Sequence, residues 1–277
     1  MTRYAAAGNQ LAYFGFVDDN GVLTGLATGA PAAGSDSAMW RLHGIQSATP
    51  GVPEGEDVNI PGDDDVIATI SFAPNTTPAF IMNFGVHDLA LDAAMQSTAV
   101  LSLAAVEYGV HQPQDPGFNN GCLIIQSRAI SQDDDDAGLE VWAGDIFPLG
   151  VAQPLGREAF EGRAAGVNRI KFTAQKAAHW PTGVTIADGD LGTDKGSIIA
   201  FKSPNPLLMH RLTGNGAVTT VVLPKAVAAT NNVYAAVNTQ ILTHGSGLTA
   251  VAGSTTLTFT SAPASNAKVI IVWGFTP

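Results

Sequence analysis

The chain has one cysteine, Cys122, in 277 residues. A lone thiol excludes an intrachain disulfide framework and any cysteine-only zinc site. Charge is also scarce. Asp, Glu, Lys and Arg make up 13% of the sequence, about half the usual share. Aromatic residues are 7% and form no cluster that reads as a sugar platform. No apolar run reaches the length of a membrane-spanning helix, and no basic-then-apolar leader is present. A soluble protein made in the cytoplasm, without membrane contact, is the expectation.

Catalytic motifs are missing as well. The sequence has no Gly-Lys dipeptide, hence no P-loop, and no two histidines spaced for a zinc helix. Asp188, Asp190 and Asp194 begin like a calcium loop. Gly192 and Ile199 then occupy the fifth and twelfth positions, where liganding side chains are needed. His244-Gly245-Ser246-Gly247 lacks the first glycine of a nucleophile elbow and reads as a turn. His43, His87, His111, His179, His210 and His244 are scattered, which favours structural or surface roles. Trp180 reads as a packing anchor. No catalytic, cofactor or metal residue is assigned, and an enzyme is not expected.

What the chain does have is length enough for a large core, 45% apolar residues, 30 glycines and 16 prolines. Its net charge of −11 is unevenly spread. Residues 1–150 carry 19 acids and 3 bases, net −16, and residues 151–277 carry 5 acids and 10 bases, net +5. The first half is therefore a poor ligand for nucleic acid. The split also permits acidic-end-to-basic-end contact between copies. So few charges leave a monomer poorly protected against association, which favours an assembly.

Period-two patterns dominate. In 167–174, Ile170, Phe172 and Ala174 share one face and Arg169, Lys171 and Thr173 the other, the mark of a half-buried strand. Residues 139–151 read as its strand neighbour, with 153–166 as a linker. Asn20-Gly21 predicts a hairpin of 11–17 with 22–26. Residues 28–37 and 49–65 read as loops. Val66, Ala68, Ile70 and Phe72 alternate, and a Pro/Asn/Thr turn predicts their pairing with 80–84. Asp88 can cap a helix over 88–97, and 99–108 either extends it or forms a strand. Residues 248–252 and 255–260 read as a hairpin with a Gly253-Ser254 type II′ turn, followed by a strand at 268–273. The predicted division is a main β-sandwich domain at 1–213 and a small, Ig-like β module at 214–277. The fold class expected is mainly β, a sandwich or partial barrel with one flanking helix.

The alternating strand at 66–72, its turn, Phe80–Phe84 and the helix-like segment 87–98 resemble major tail (tail tube) proteins of long-tailed bacteriophages. So does Phe160-x-Gly162-Arg163 leading into 167–174. The resemblance implies a tube subunit of the virion tail. Six copies would form a ring whose inner strands make a continuous barrel, and rings would stack around passing DNA. The implied partners are the chain itself and other virion tail components, with no specific DNA binding, no cofactor and no catalysis. The long Gly/Pro loops at 28–65 depart from that pattern and leave the ring-to-ring contacts unassigned. Alternatives are a capsid decoration or other shell protein, a carbohydrate-binding adhesin-like β module, and a hydrolase with a dispersed site. Two acid runs, Asp63, Asp64, Asp65 and Asp133, Asp134, Asp135, Asp136, are candidate lumen-facing groups that would repel phosphates. The other reading makes them solvated outer loops.

Overall fold

The computed structural model describes residues 4–6, 11–43, 45–50, 56–61, 66–72, 79–84, 88–110, 117–131, 138–157, 168–177, 179–182 and 199–277. The chain begins with β1 (Tyr4–Ala6), β2 (Leu11–Val17), β3 (Leu23–Gly25), β4 (Asp36–Ala38), β5 (Trp40–Leu42) and β6 (Ile45–Pro50). Next come β7 (Glu56–Pro61), β8 (Val66–Phe72), β9 (Ala79–Phe84) and the helix α1 (Leu89–Met95). The middle holds β10 (Val100–Leu103), β11 (Val106–Val110), β12 (Asn120–Ser131), β13 (Glu140–Arg157) and β14 (Asn168–Ala174). Then follow β15 (Ile199–Ser203), β16 (Leu207–Thr213), β17 (Thr220–Val222) and β18 (Val233–Val237). The last strands are β19 (Gln240–His244), β20 (Gly247–Ala250), β21 (Thr256–Phe259) and β22 (Lys268–Gly274).

The protein is mainly β, with two large sheets that curl as half-barrels. The first runs β3-β2-β12-β13-β14-β9-β6, with β5, β1 and β15 paired beside β2, β12 and β13. The second runs β17-β21-β20-β19-β18-β22-β16-β4. β13 drives the curl of the first sheet. It pairs with β12 over its first part and with β14 over its last, through a bulge between Pro154 and Gly156. Bulges bend the strand that carries them.

The two sheets pack face to face. One core joins Leu11, Tyr13, Cys122 and Ile124 of the first sheet to Met209, Leu248, Ile271 and Trp273 of the second. The second core lies on the other face of the first sheet and includes Phe14, Phe16, Met82, Phe147 and Phe172, with Leu91 and Met95 of α1. β2 therefore has both faces covered and is buried throughout. Gly15 leaves room on that strand for Leu23 and Met39, which a β-carbon there would press upon. Buried Gln126 also ties the layers. Its amide donates to the Leu207 carbonyl at 2.9 Å and accepts from the Leu207 N–H at 2.8 Å.

The β2–β3 hairpin is as expected, with the Asp18 carboxylate accepting from the N–H groups of Asn20 and Val22. Asp88 caps α1, accepting from Ala90 and Leu91 N–H at 3.0 and 3.1 Å. The helix is shorter than expected, because Ser97 takes a left-handed φ of 52° and the chain then turns into the β10–β11 hairpin. Ile170, Phe172 and Ala174 are buried together, as their alternation predicts.

Other expectations change. β8 pairs with β7, while β9 lies between β14 and β6. β8 and β9 therefore do not pair with each other, and the Pro/Asn/Thr segment between them lies outside the described residues. Part of the expected loop at 49–65 is strand, because β7 supplies β8 with its partner. The expected linker at 153–166 begins as strand, since β13 continues to Arg157. The 248–260 hairpin forms, but its pairing stops at Ala250 opposite Leu257, leaving a loop longer than a two-residue turn.

The second sheet crosses the 213/214 division. β16 pairs along its length with β22, and β4 from the N-terminal region forms its edge. At Met39 the chain passes from β4 in the second sheet to β5 in the first, and Met39 is buried at that crossing.

Candidate functional site

The titratable groups with the most altered surroundings are built into the fold. Cys122 is fully buried on β12, and burial pushes its thiol pKa up to about 12. His210 on β16 places Nε2 3.0 Å from an Asp36 carboxylate oxygen. Burial lowers the pKa of His210, while the hydrogen bond and charge of Asp36 pull it the other way. The pair holds β4 to the sheet edge. His244 Nδ1 accepts the Ala250 N–H at 3.1 Å, consistent with a turn. Trp180 is half-buried in a segment whose neighbour Pro181 accepts the Leu23 N–H. Among the described residues no three His, Cys, Asp or Glu side chains gather as a metal site. His87, His111, Asp188, Asp190 and Asp194 lie outside the described residues.

Polar groups do gather at one end of the sheet-to-sheet junction. A cleft of about 280 Å3 is lined by Asn20, Val22, His179, Asn238, Thr239 and Lys268. Lys268 Nζ stands 3.7 Å from an Asp18 carboxylate oxygen. Nearby, Arg211 is buried, and its Nε and Nη1 have no hydrogen-bond partner among the described residues. Burial lowers the Arg211 pKa and the charge of Asp18 raises it. His179 Nδ1 is likewise buried without a partner there.

Surface chemistry is most unusual at the β10–β11 hairpin. Leu101, Leu103 and Val106 are all exposed, Leu103 by 70%. Register places Leu103 opposite Val106, so two large apolar residues meet at the tip. Ala104 and Ala105 form the turn with φ of 51° and 66°. For residues with a β-carbon this left-handed conformation costs about 1–2 kcal/mol each. The β7–β8 hairpin forms its own two-stranded sheet. Its register sets Val58 opposite Ile70 and Ile60 opposite Ala68. A two-stranded hairpin alone is marginal in water.

Asp63, Asp64 and Asp65 fall in the β7–β8 connection, and Asp133, Asp134, Asp135 and Asp136 in the β12–β13 connection. Both runs lie outside the described residues. Ile130 and Leu139, which flank the second run in the sequence, are exposed. Sequence reasoning missed the β10–β11 tip, because a short apolar run with an Ala-Ala turn carries none of the Gly or Asn that advertises a hairpin. No protein-family model matches the chain, and no curated protein matches it.

Proposed function

We propose that the chain is a structural virion subunit of the tail-tube kind, which self-associates into stacked rings around a channel for DNA. The observation that carries this reading is the β10–β11 hairpin. It exposes Leu101, Leu103 and Val106 around a strained Ala104-Ala105 turn, and none of its described side chains belongs to either main core. Exposed apolar residues gathered in one element mark a protein contact. Burial against a neighbour offsets both its exposure and its strain. The curled sheets suit the wall of a ring. In this reading the tube holds DNA weakly, and the acidic first half keeps phosphates from binding. Asp63, Asp64, Asp65, Asp133, Asp134, Asp135 and Asp136 are its lumenal candidates.

Negative-stain microscopy of the concentrated, purified protein tests the proposal. Rings or tubes are the expected result. Flat lattices would favour the decoration-protein alternative, and isolated monomers at all concentrations would remove the assembly reading.

A further inference from the structure

We propose that the cleft beside Lys268 receives the acidic β12–β13 connection of a second copy of the chain. The inference rests on the self-assembly reading and specifies its contact.

The cleft offers a carboxylate one half-exposed cation and several neutral polar groups. Lys268 exposes 47% of its side chain, and its 3.7 Å separation from Asp18 exceeds a direct charge-assisted hydrogen bond. Asp18 is also the carboxylate acting on buried Arg211, so one acid faces two cations. Asn20, Asn238 and Thr239 add neutral donors at the rim, and His179 supplies a buried Nδ1 with no partner among the described residues. Residues 195–277 contain five Lys or Arg and no Asp or Glu. In the strands of the second sheet the one carboxylate is Asp36, which belongs to β4.

The complementary charge is at the opposite end of the same molecule. Asp133, Asp134, Asp135 and Asp136 follow β12, flanked by Ile130 and Leu139, both exposed. Ile241, two residues beyond Thr239 at the cleft, is an exposed apolar counterpart.

Geometry decides that the two ends meet between copies. Asp18 follows β2, whose Phe16 pairs with Gly121 at the start of β12. The acid run begins beyond Ser131 at the far end of β12, ten residues away. At about 3.3 Å per residue this is roughly 33 Å. A connection of so few residues, going out and back, spans less than about half that distance. The acid run cannot reach the cleft of its own chain. A tip-to-cleft contact is therefore head-to-tail, the kind of interface that closes into rings or propagates as filaments. It leaves Asp63, Asp64 and Asp65 as lumenal candidates and gives Asp133–Asp136 a contact role.

Two measurements test this. Sedimentation velocity compares self-association of the wild type, K268E, the milder K268A and a variant with all four acids at 133–136 changed to Asn. Thermal melting confirms that each is folded. The expected result is at least about tenfold weaker association for K268E and for the Asn variant. Wild-type association should also weaken from about 50 mM to about 0.5 M salt, where the Debye length shrinks to a few ångströms. Separately, a peptide spanning 129–140 is titrated into the wild type and K268E under dissociating, low-salt conditions. It should bind the wild type and lose that binding in K268E. Wild-type-like association of K268E, or failure of the peptide to bind the wild type, overturns the proposal. If the wild type never associates, the self-assembly reading falls with it. If rings form without dependence on Lys268, the self-assembly reading stands and the cleft assignment fails.

Discussion

Replacing Phe172 with alanine tests the packing of the first sheet where it is densest. Phe172 is fully buried on β14, between β13 and β9. Its ring meets Phe147 edge-on, with centroids 5.8 Å apart and planes at 63°. Beneath the ring is Gly150, where a β-carbon would collide with it. A phenylalanine of this kind buries about 150–250 Å2. At about 25 cal/mol per Å2, that is roughly 4–6 kcal/mol of transfer free energy. Alanine keeps part of that area, but Gly150 has no side chain with which to fill the space left. The expected loss is about 3–5 kcal/mol, in line with buried Phe-to-Ala changes. That is a large share of the roughly 5–15 kcal/mol stability of a typical protein. Denaturant unfolding, followed by tryptophan fluorescence and by Cys122 thiol labelling, measures it. Cys122 suits the assay because burial and a pKa near 12 silence it in the folded state. A loss under about 1 kcal/mol would show that the second core is not packed around this ring.

Three further outcomes are expected. Leu103→Ala, at the 70% exposed hairpin tip, should change stability by less than about 0.5 kcal/mol yet weaken self-association. Unfolding and sedimentation measured together check this, and unchanged association would remove the hairpin from the interface. His210 has a folded pKa below its ordinary value of 6.5, so the unfolded state binds its proton more readily. Its contribution is complete above pH 6.5, and stability should fall as pH drops below that value toward the folded pKa. Melting from pH 8 to 5 should show this fall, smaller in His210→Gln, and an equal fall in both would refute it. A chain ending at Leu212 loses β17 to β22 and uncovers one face of the first sheet. It should fail to fold cooperatively, against the separable module that the sequence suggests, and a sharp melting transition would restore that division.

Local signals were legible where one physical cause dominated. The alternation around Phe172 follows from one buried and one exposed face. The Asp88 cap and Asn20-Gly21 hairpin follow from hydrogen bonds spanning a few residues. β2 shows no alternation, because cores cover both its faces. Long-range pairings were not legible. Gln126 meets Leu207 across 81 residues, and His210 meets Asp36 across 174. β8 found its partner in a Pro-rich, acidic stretch that composition marks as loop. Of the candidate site, the charge asymmetry was readable in full, but the pairing of Lys268 with Asp18 was not, because it joins residues far apart in the sequence.

A three-dimensional cryo-microscopy reconstruction of the assembled protein tests the central claim most directly. The account predicts a ring or tube in which the β10–β11 tip and the cleft beside Lys268 are both buried against neighbouring copies, with an acidic or neutral channel on the axis. A particle with both surfaces facing solvent, or with a basic wall lining the axis, would contradict it.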